Sequence, residues 1–175
     1  YYDNYDCLLG QELLNRGPGE YSQTHNINHV WIWDNHLKSL SPNRRVYGIA
    51  TSDAHGVNAV GTAYTIVLSE KTLDGVKNAL LNGRTLAVWK NNPGDTEPYI
   101  NNIQVIKDEI IIDGSGIDRI LWLGEKGQEV GRGNSFRVST LPKGINYVRS
   151  MIEGANARIY TNPFSVGTEH WVEKP

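Results

Sequence analysis

Asp53 and His55 stand two positions apart in the string Tyr47-Gly48-Ile49-Ala50-Thr51-Ser52-Asp53-Ala54-His55-Gly56, where a short apolar run gives way to a polar cluster. Residues i and i+2 at the end of an extended strand point to the same face, so both side chains could reach one cation. A carboxylate oxygen and an imidazole nitrogen suit zinc, manganese or iron. Catalytic groups on parallel barrels sit at the carboxyl ends of strands, which is where this pair falls. Gly56 then lets the chain turn away tightly. Taken alone, the triplet also fits a structural role, with Asp53 capping a turn and His55 solvated.

Other candidates are weaker. His25 and His29 are four apart and would share a helix face as metal ligands, but Asn26 and Asn28 between them read as a loop or helix start. Glu12 is a candidate outer-shell carboxylate orienting a ligand or substrate, with Asn15 beside it, and a plain hydrogen bond between the two is the structural alternative. His36 reads as an exposed helix residue and His170 as part of a tail. Trp31, Trp33, Trp89, Trp122 and Trp171 are scattered over the chain, which favours packing over a stacking surface for sugars. Arg84 and Lys90 would hold a substrate anion or favour a helix C-terminal dipole.

The elements that must position these groups follow from periodicity. Residues 7–14 read as a buried strand closed by Asn15 and the Gly17-Pro18-Gly19 breaker. Residues 29–40 place Val30, Trp33, Leu37 and Leu40 at helical spacing. Residues 46–51 suit a strand buried on both faces, and 63–68 a second, β-branched strand. Ser69 would cap a following helix with Leu73, Val76, Ala79 and Leu80 on one face and Gly83 at its C′ position. This alternation of strand and helix is the pattern of a parallel α/β layer. Turn residues cluster at 91–95, and beyond them six short strands are expected at 100–106, 109–112, 117–123, 135–138, 146–153 and 157–160, the signature of a sandwich. The expected organisation is an α/β unit over 1–92, a β-sandwich over 96–167 and a tail over 168–175.

Bulk properties narrow the function. With 175 residues the chain is shorter than the roughly 200 to 250 a complete (β/α) barrel enzyme needs. Seventeen Lys and Arg against nineteen Asp and Glu give a net charge of -2, so no basic field favours a nucleic-acid partner. Cys7 is the single cysteine, which rules out an intramolecular disulfide and a CxxC motif. No apolar run reaches the roughly 18 residues of a membrane span. The first residue is Tyr1 and the single methionine is Met151, which points to a gene product starting upstream. These properties leave the compartment undecided.

The string ending in Ser52-Asp53-Ala54-His55 resembles the last metal motif of PHP (polymerase and histidinol phosphatase) hydrolases. In order along the chain, Gly10-Gln11-Glu12-Leu13-Leu14-Asn15 resembles the family's G-x-E-x-x-N strand, Trp33-Asp34 through Leu37 its W-D-x-x-L helix, and Ala79-Leu80 with Gly83-Arg84-Thr85 its A-L-x-x-G-R-T segment. Tyr147-Val148-Arg149 and Thr161-Asn162-Pro163 resemble the Y-V-R and T-N-P strands of the sandwich appended in the carbaryl esterase-like branch. The resemblance implies α/β plus all-β architecture: the last strands and helices of a distorted (β/α)7 barrel, then a small antiparallel β-sandwich. It implies Asp53 and His55 as ligands of divalent zinc, manganese or iron, and a small-molecule phosphate ester or other ester as substrate. The family's H-x-H strand has no counterpart before Asp53, so the missing N-terminal half of the same domain is the expected partner, and the fragment alone is expected to be inactive. Two alternatives are a sandwich that works as a binding module for carbohydrate or protein, and a PHP-like scaffold without catalysis.

Overall fold

The computed structural model describes residues 2, 4–5, 7–15 and 20–166. The Gly17-Pro18-Gly19 breaker, His170, Trp171 and the tail expected at 168–175 lie outside the described residues. The chain opens with a strand, β1 (Gly10–Asn15), a long helix, α1 (Glu20–Leu40), and a second strand, β2 (Tyr47–Thr51). The two strands pair in parallel from Gly10 opposite Tyr47 to Asn15 opposite Thr51, with an irregularity between Glu12 and Leu14. Leu13, Trp33, Leu37 and Val46 are fully buried between the helix and the pair. The Trp33 indole N–H donates to the Val46 carbonyl at 2.8 Å, so its polar edge is satisfied inside the core. The helix begins at Glu20, well before residue 29, so His25, Asn26 and Asn28 are helical and not loop. Asparagine is a poor helix former because its side chain competes for backbone partners. Here the Asn26 carboxamide accepts from the Asn15 backbone N–H at 2.8 Å and ties the helix to the end of β1.

Strands β3 (Ala63–Val67) and β4 (Thr85–Lys90) are joined through helix α2 (Leu73–Leu81). Then come β5 (Tyr99–Ile106), β6 (Glu109–Ser115), β7 (Arg119–Leu123), β8 (Glu129–Arg132), β9 (Ser135–Arg137), β10 (Tyr147–Glu153), β11 (Ala157–Thr161) and β12 (Phe164–Ser165). They form a seven-stranded sheet in the order β3-β4-β11-β10-β7-β8, with β12 on β10, and a three-stranded sheet in the order β5-β6-β9. All of these pairings are antiparallel. Among the described residues parallel pairing is confined to β1 and β2, while β3 and β4 pair antiparallel, so the parallel layer expected across residues 1–92 is not what forms. The nine-residue α2 returns the chain as a helix-bearing hairpin instead of a crossover, and β4, buried along nearly its whole length, enters the antiparallel sheet.

The seven-stranded sheet buries both faces, and strand alternation explains how. Leu86 and Val88 of β4, Val148 and Ile152 of β10 and Ile159 of β11 pack with Ile110, Ile112 and Phe136 of the smaller sheet. Ala87 of β4, Tyr147 of β10 and Tyr160 of β11 pack with Leu13, Trp33 and Leu37 of the parallel unit. The molecule therefore has three layers with the large sheet in the middle, and its two outer layers are the sandwich partner and the β1-α1-β2 unit. Because β3 and β4 lie in the same sheet as β7, β8, β10 and β11, hydrogen bonding runs through the boundary expected at 92–96.

Local details also depart from expectation. Thr72, not Ser69, caps α2, its hydroxyl accepting from Gly75 N at 3.0 Å. Among the apolar positions expected to face inward on α2, Ala79 is buried while Leu73 and Leu80 are exposed. Trp31 is exposed rather than packed, and His36 is half-buried, its Nδ1 2.9 Å from the Gln11 side-chain oxygen and its ring against Tyr2. Gly83 does adopt a left-handed φ of 64° after α2, and a Cβ there would meet the Tyr47 ring at 2.2 Å.

Candidate functional site

Three side-chain clamps fix the parallel pair to the sheet beneath it. Asp34 of α1 receives a bidentate pair from Arg149 of β10, Nε to Oδ1 at 2.8 Å and Nη2 to Oδ2 at 2.7 Å, and the Tyr147 hydroxyl donates to Oδ1 at 3.2 Å. All three residues are buried, and the Arg149 guanidinium lies 5.1 Å from the Trp33 ring and 5.7 Å from the Tyr160 ring. Asn162 accepts from Gly48 N at 2.7 Å and donates to the carbonyls of Gly83 and Thr85 at 2.9 and 3.2 Å. The Thr65 hydroxyl both accepts from Ala50 N and donates to Ala50 O, each at 2.9 Å. These contacts set the direction of β2. It passes Asn162 at the start of β4, then Thr65, which stands opposite Ala87, and so it climbs toward the far end of β4.

At that upper end the chain leaves β2 and reaches Asp53 and His55. Asp53 is not extended: its φ is 44°, a left-handed conformation that aspartate tolerates better than most residues. The two groups are therefore brought together by a turn and not by strand alternation. His55 Nδ1 lies 2.8 Å from the Asp53 main-chain oxygen and 3.7 Å from its Oδ1. A carbonyl oxygen only accepts, so Nδ1 carries the proton and Nε2 keeps its lone pair in the neutral ring. This is the arrangement that orients metal-binding imidazoles, one nitrogen held by the backbone and the other offered to the cation. Both side chains are exposed, His55 by 86% and Asp53 by 51%. Among the described residues no group of three or more His, Cys, Asp and Glu side chains comes together around one position.

The neighbouring strand end carries Glu12 and Asn15. Glu12 accepts from the Thr51 hydroxyl through one oxygen and from Asn15 Nδ2 at 3.1 Å through the other, which links the tips of β1 and β2. Its observed partners are thus strand-end groups. His25 and His29 do share a face of α1, with ring centroids 4.5 Å apart. His29 Nδ1 is buried and has no hydrogen-bond partner among the described residues. Burial lowers the His29 pKa below the ordinary imidazole value, the charge of His25 lowers it further, and Glu12 opposes both. Lys90, one of the candidate anion-holding cations, is buried and 3.5 Å from Glu97, while Arg84 is exposed.

A cavity of about 590 Å3 opens where α1 meets the upper end of the large sheet. Leu14 and Asn26 form one wall, Trp89 and Asn91 continue from β4, and the β10–β11 turn supplies Glu153 and Asn156. Sequence reading missed this group because its members come from six separate elements, β1, α1, β4, β7, β10 and β11, and the turns beside them. The one available sign was the density of asparagine at chain reversals, at Asn91, Asn92 and Asn156.

Residues 38–85 match the model of a family described as PHP-associated. The match runs from the end of α1 through β2, the Asp53–His55 turn, β3 and α2 to the first residue of β4, and it supports a PHP-associated domain in this chain. No curated protein and no solved structure matches it.

Proposed function

We propose that this chain is part of a PHP-type metal-dependent hydrolase of phosphate or other esters, in which Asp53 and His55 are two ligands of a divalent cation. The observation that carries the reading is the His55 ring, held at Nδ1 by the Asp53 carbonyl so that Nε2 keeps its lone pair for a cation, with the Asp53 carboxylate 3.7 Å from Nδ1 in the same turn. The donor set fits zinc, manganese or iron. A catalytic zinc uses three protein ligands, so the remaining ones come from beyond the described residues. The chemistry a cation supplies when bound is Lewis-acid activation of water and of the ester oxygen. Asp53 and His55 hold and orient; neither is assigned an acid–base role. The carbaryl esterase-like branch belongs to the same proposal, supported by Asn162, which joins the PHP-associated segment to the sandwich sheet, and by Tyr147 and Arg149, which hold Asp34 of the preceding helix to it.

The test uses the protein that carries this chain, with Asp53→Asn and His55→Ala. Asparagine tolerates the left-handed turn, so Asp53→Asn removes the charge without the backbone penalty. Metal content by mass spectrometry and hydrolysis of p-nitrophenyl phosphate with added manganese should fall together in both variants, metal affinity by about tenfold to a hundredfold, at least the loss seen for orienting partners. Full metal occupancy in either variant removes the assignment.

A further inference from the structure

We propose that the cavity at the upper end of the sheet binds a neutral, polyhydroxylated group, a sugar or polyol, and that this group is the alcohol part of the ester substrate. The binding claim stands on the cavity; its place in the substrate rests on the hydrolase reading above.

Position is the first ground. β1 and β2 run parallel, and β2 climbs from the Asn162 end of β4 toward Trp89. The carboxyl ends of both strands, with Asn15 on one and Asp53 and His55 beyond the other, therefore lie at the end of the molecule where the cavity opens. Ligands of parallel α/β units bind outside the carboxyl ends of the strands.

Charge is the second ground. Asp118, Glu153, Arg119 and Arg158 all line the cavity, two carboxylates and two guanidiniums. Glu153 is nearly buried and takes both arginines, Arg119 through Oε2 and Arg158 through Oε1 at 3.0 Å. Both guanidiniums are engaged at Nε by Glu153, so a phosphate or carboxylate ligand would approach them against the charge of that carboxylate. With its charges internally compensated, the wall presents rigid donors and acceptors without a net field.

Hydrogen-bonding capacity is the third. Asn91 and Asn156 face each other at the rim, backbone N to O at 2.9 Å and Nδ2 to Oδ1 at 3.4 Å. That contact uses one end of each carboxamide and leaves Asn91 Oδ1 and Asn156 Nδ2 for a ligand. Asn26 spends its Oδ1 on Asn15 N and keeps an NH2 without a partner among the described residues. Planar amides that offer both a donor and an acceptor suit vicinal hydroxyls, which do the same. Trp89 and Tyr160 add ring surface for the apolar face of a sugar, at a volume within the range of small-molecule sites.

The experiment titrates the full 175-residue chain, without added metal, with maltose, cellobiose and glycerol, and with inorganic phosphate as the opposing probe, followed by calorimetry and tryptophan fluorescence. At least one disaccharide should bind below about 10 mM, and Asn156→Ala should weaken it about tenfold, one decade for a lost polar partner. Asn156 is exposed in a turn, so this variant keeps the fold; Trp89→Phe is the second, expected to shift the fluorescence response on binding. Asp53→Asn should bind the disaccharide as the parent does, which separates this site from the proposed metal ligands. Absence of disaccharide binding, binding unchanged in Asn156→Ala, or phosphate bound in the cavity would each overturn the proposal. Loss of the metal assignment with retained sugar binding removes only the link to the substrate.

Discussion

At the scale of single residues, the spacing of Asp53 and His55 was legible and the reason for their proximity was not. Alternation along a strand places i and i+2 on one face, but β2 ends at Thr51 and Asp53 turns left-handed, so the histidine returns onto the aspartate's own carbonyl. A left-handed non-glycine residue leaves no mark in composition. His29 shows the reverse: the sequence suggested a solvated group, and packing against β1 changes its chemistry. Its folded-state pKa lies below the unfolded value, first because burial disfavours the charged ring and second because His25 is close. The unfolded chain then binds more protons than the folded one as pH falls through the ordinary imidazole range near 6.5. Stability is accordingly full above that range, declines on acidification, and levels off below the folded-state pKa. Urea unfolding from pH 8 to pH 5 should show the decline, and His29→Gln should flatten it. An unchanged slope in that variant would assign the pH dependence to other groups.

At the scale of elements, β-branched runs with turn residues between them marked most of the sandwich strands, because each is long enough to alternate. β4 escaped notice, since Thr85 follows directly on the Gly83 turn and its residues are buried on both faces, which erases the period of two. β8 and β12 were too short and too glycine- or proline-flanked to register. The direction of pairing was illegible for a different reason: an apolar strand covered on both sides reads the same in a parallel or an antiparallel sheet. The sequence did carry the residues of the clamp between α1 and β10, as the motifs Trp33-Asp34 and Tyr147-Val148-Arg149, but not that they meet in a buried ion pair. Removing one partner of such a pair strands the other charge in the core and costs about 3 to 5 kcal/mol. Arg149→Met and Asp34→Asn should each lower the unfolding free energy from urea titration by an amount in that range, and the double variant should cost less than the two combined, because neither charge is then left alone. Strict additivity in the double-mutant cycle would show that the two groups do not act as a unit. The closely packed Trp33 and Tyr160 rings make the Arg149 change the harsher of the two, since its guanidinium also fills space between them.

At the scale of the molecule, the expected division at 92–96 bears directly on how the chain unfolds. Cutting there would strip β3 and β4 from the large sheet, leave β11 with an open edge along Ala157–Thr161, and uncover the face that holds Tyr147, Arg149 and Tyr160. An edge so exposed pairs with other chains instead of staying solvated. The layers share their central sheet, so neither outer layer has a complete core without it. We therefore expect residues 1–175 to unfold in one cooperative step and residues 96–166 expressed alone to give no cooperative transition. Two tryptophans make the test specific, because Trp33 lies in the core between the parallel unit and the sheet while Trp122 lies in the core of the sandwich. Variants that keep Trp33 or Trp122 as the sole emitter, the other four tryptophans replaced by Phe, should each report the same urea midpoint by fluorescence as by far-UV circular dichroism, since both cores open together. Separate midpoints for the two reporters would mean that the parallel unit detaches as its own domain, and the cavity between α1 and the sheet would then open before the sandwich itself gave way.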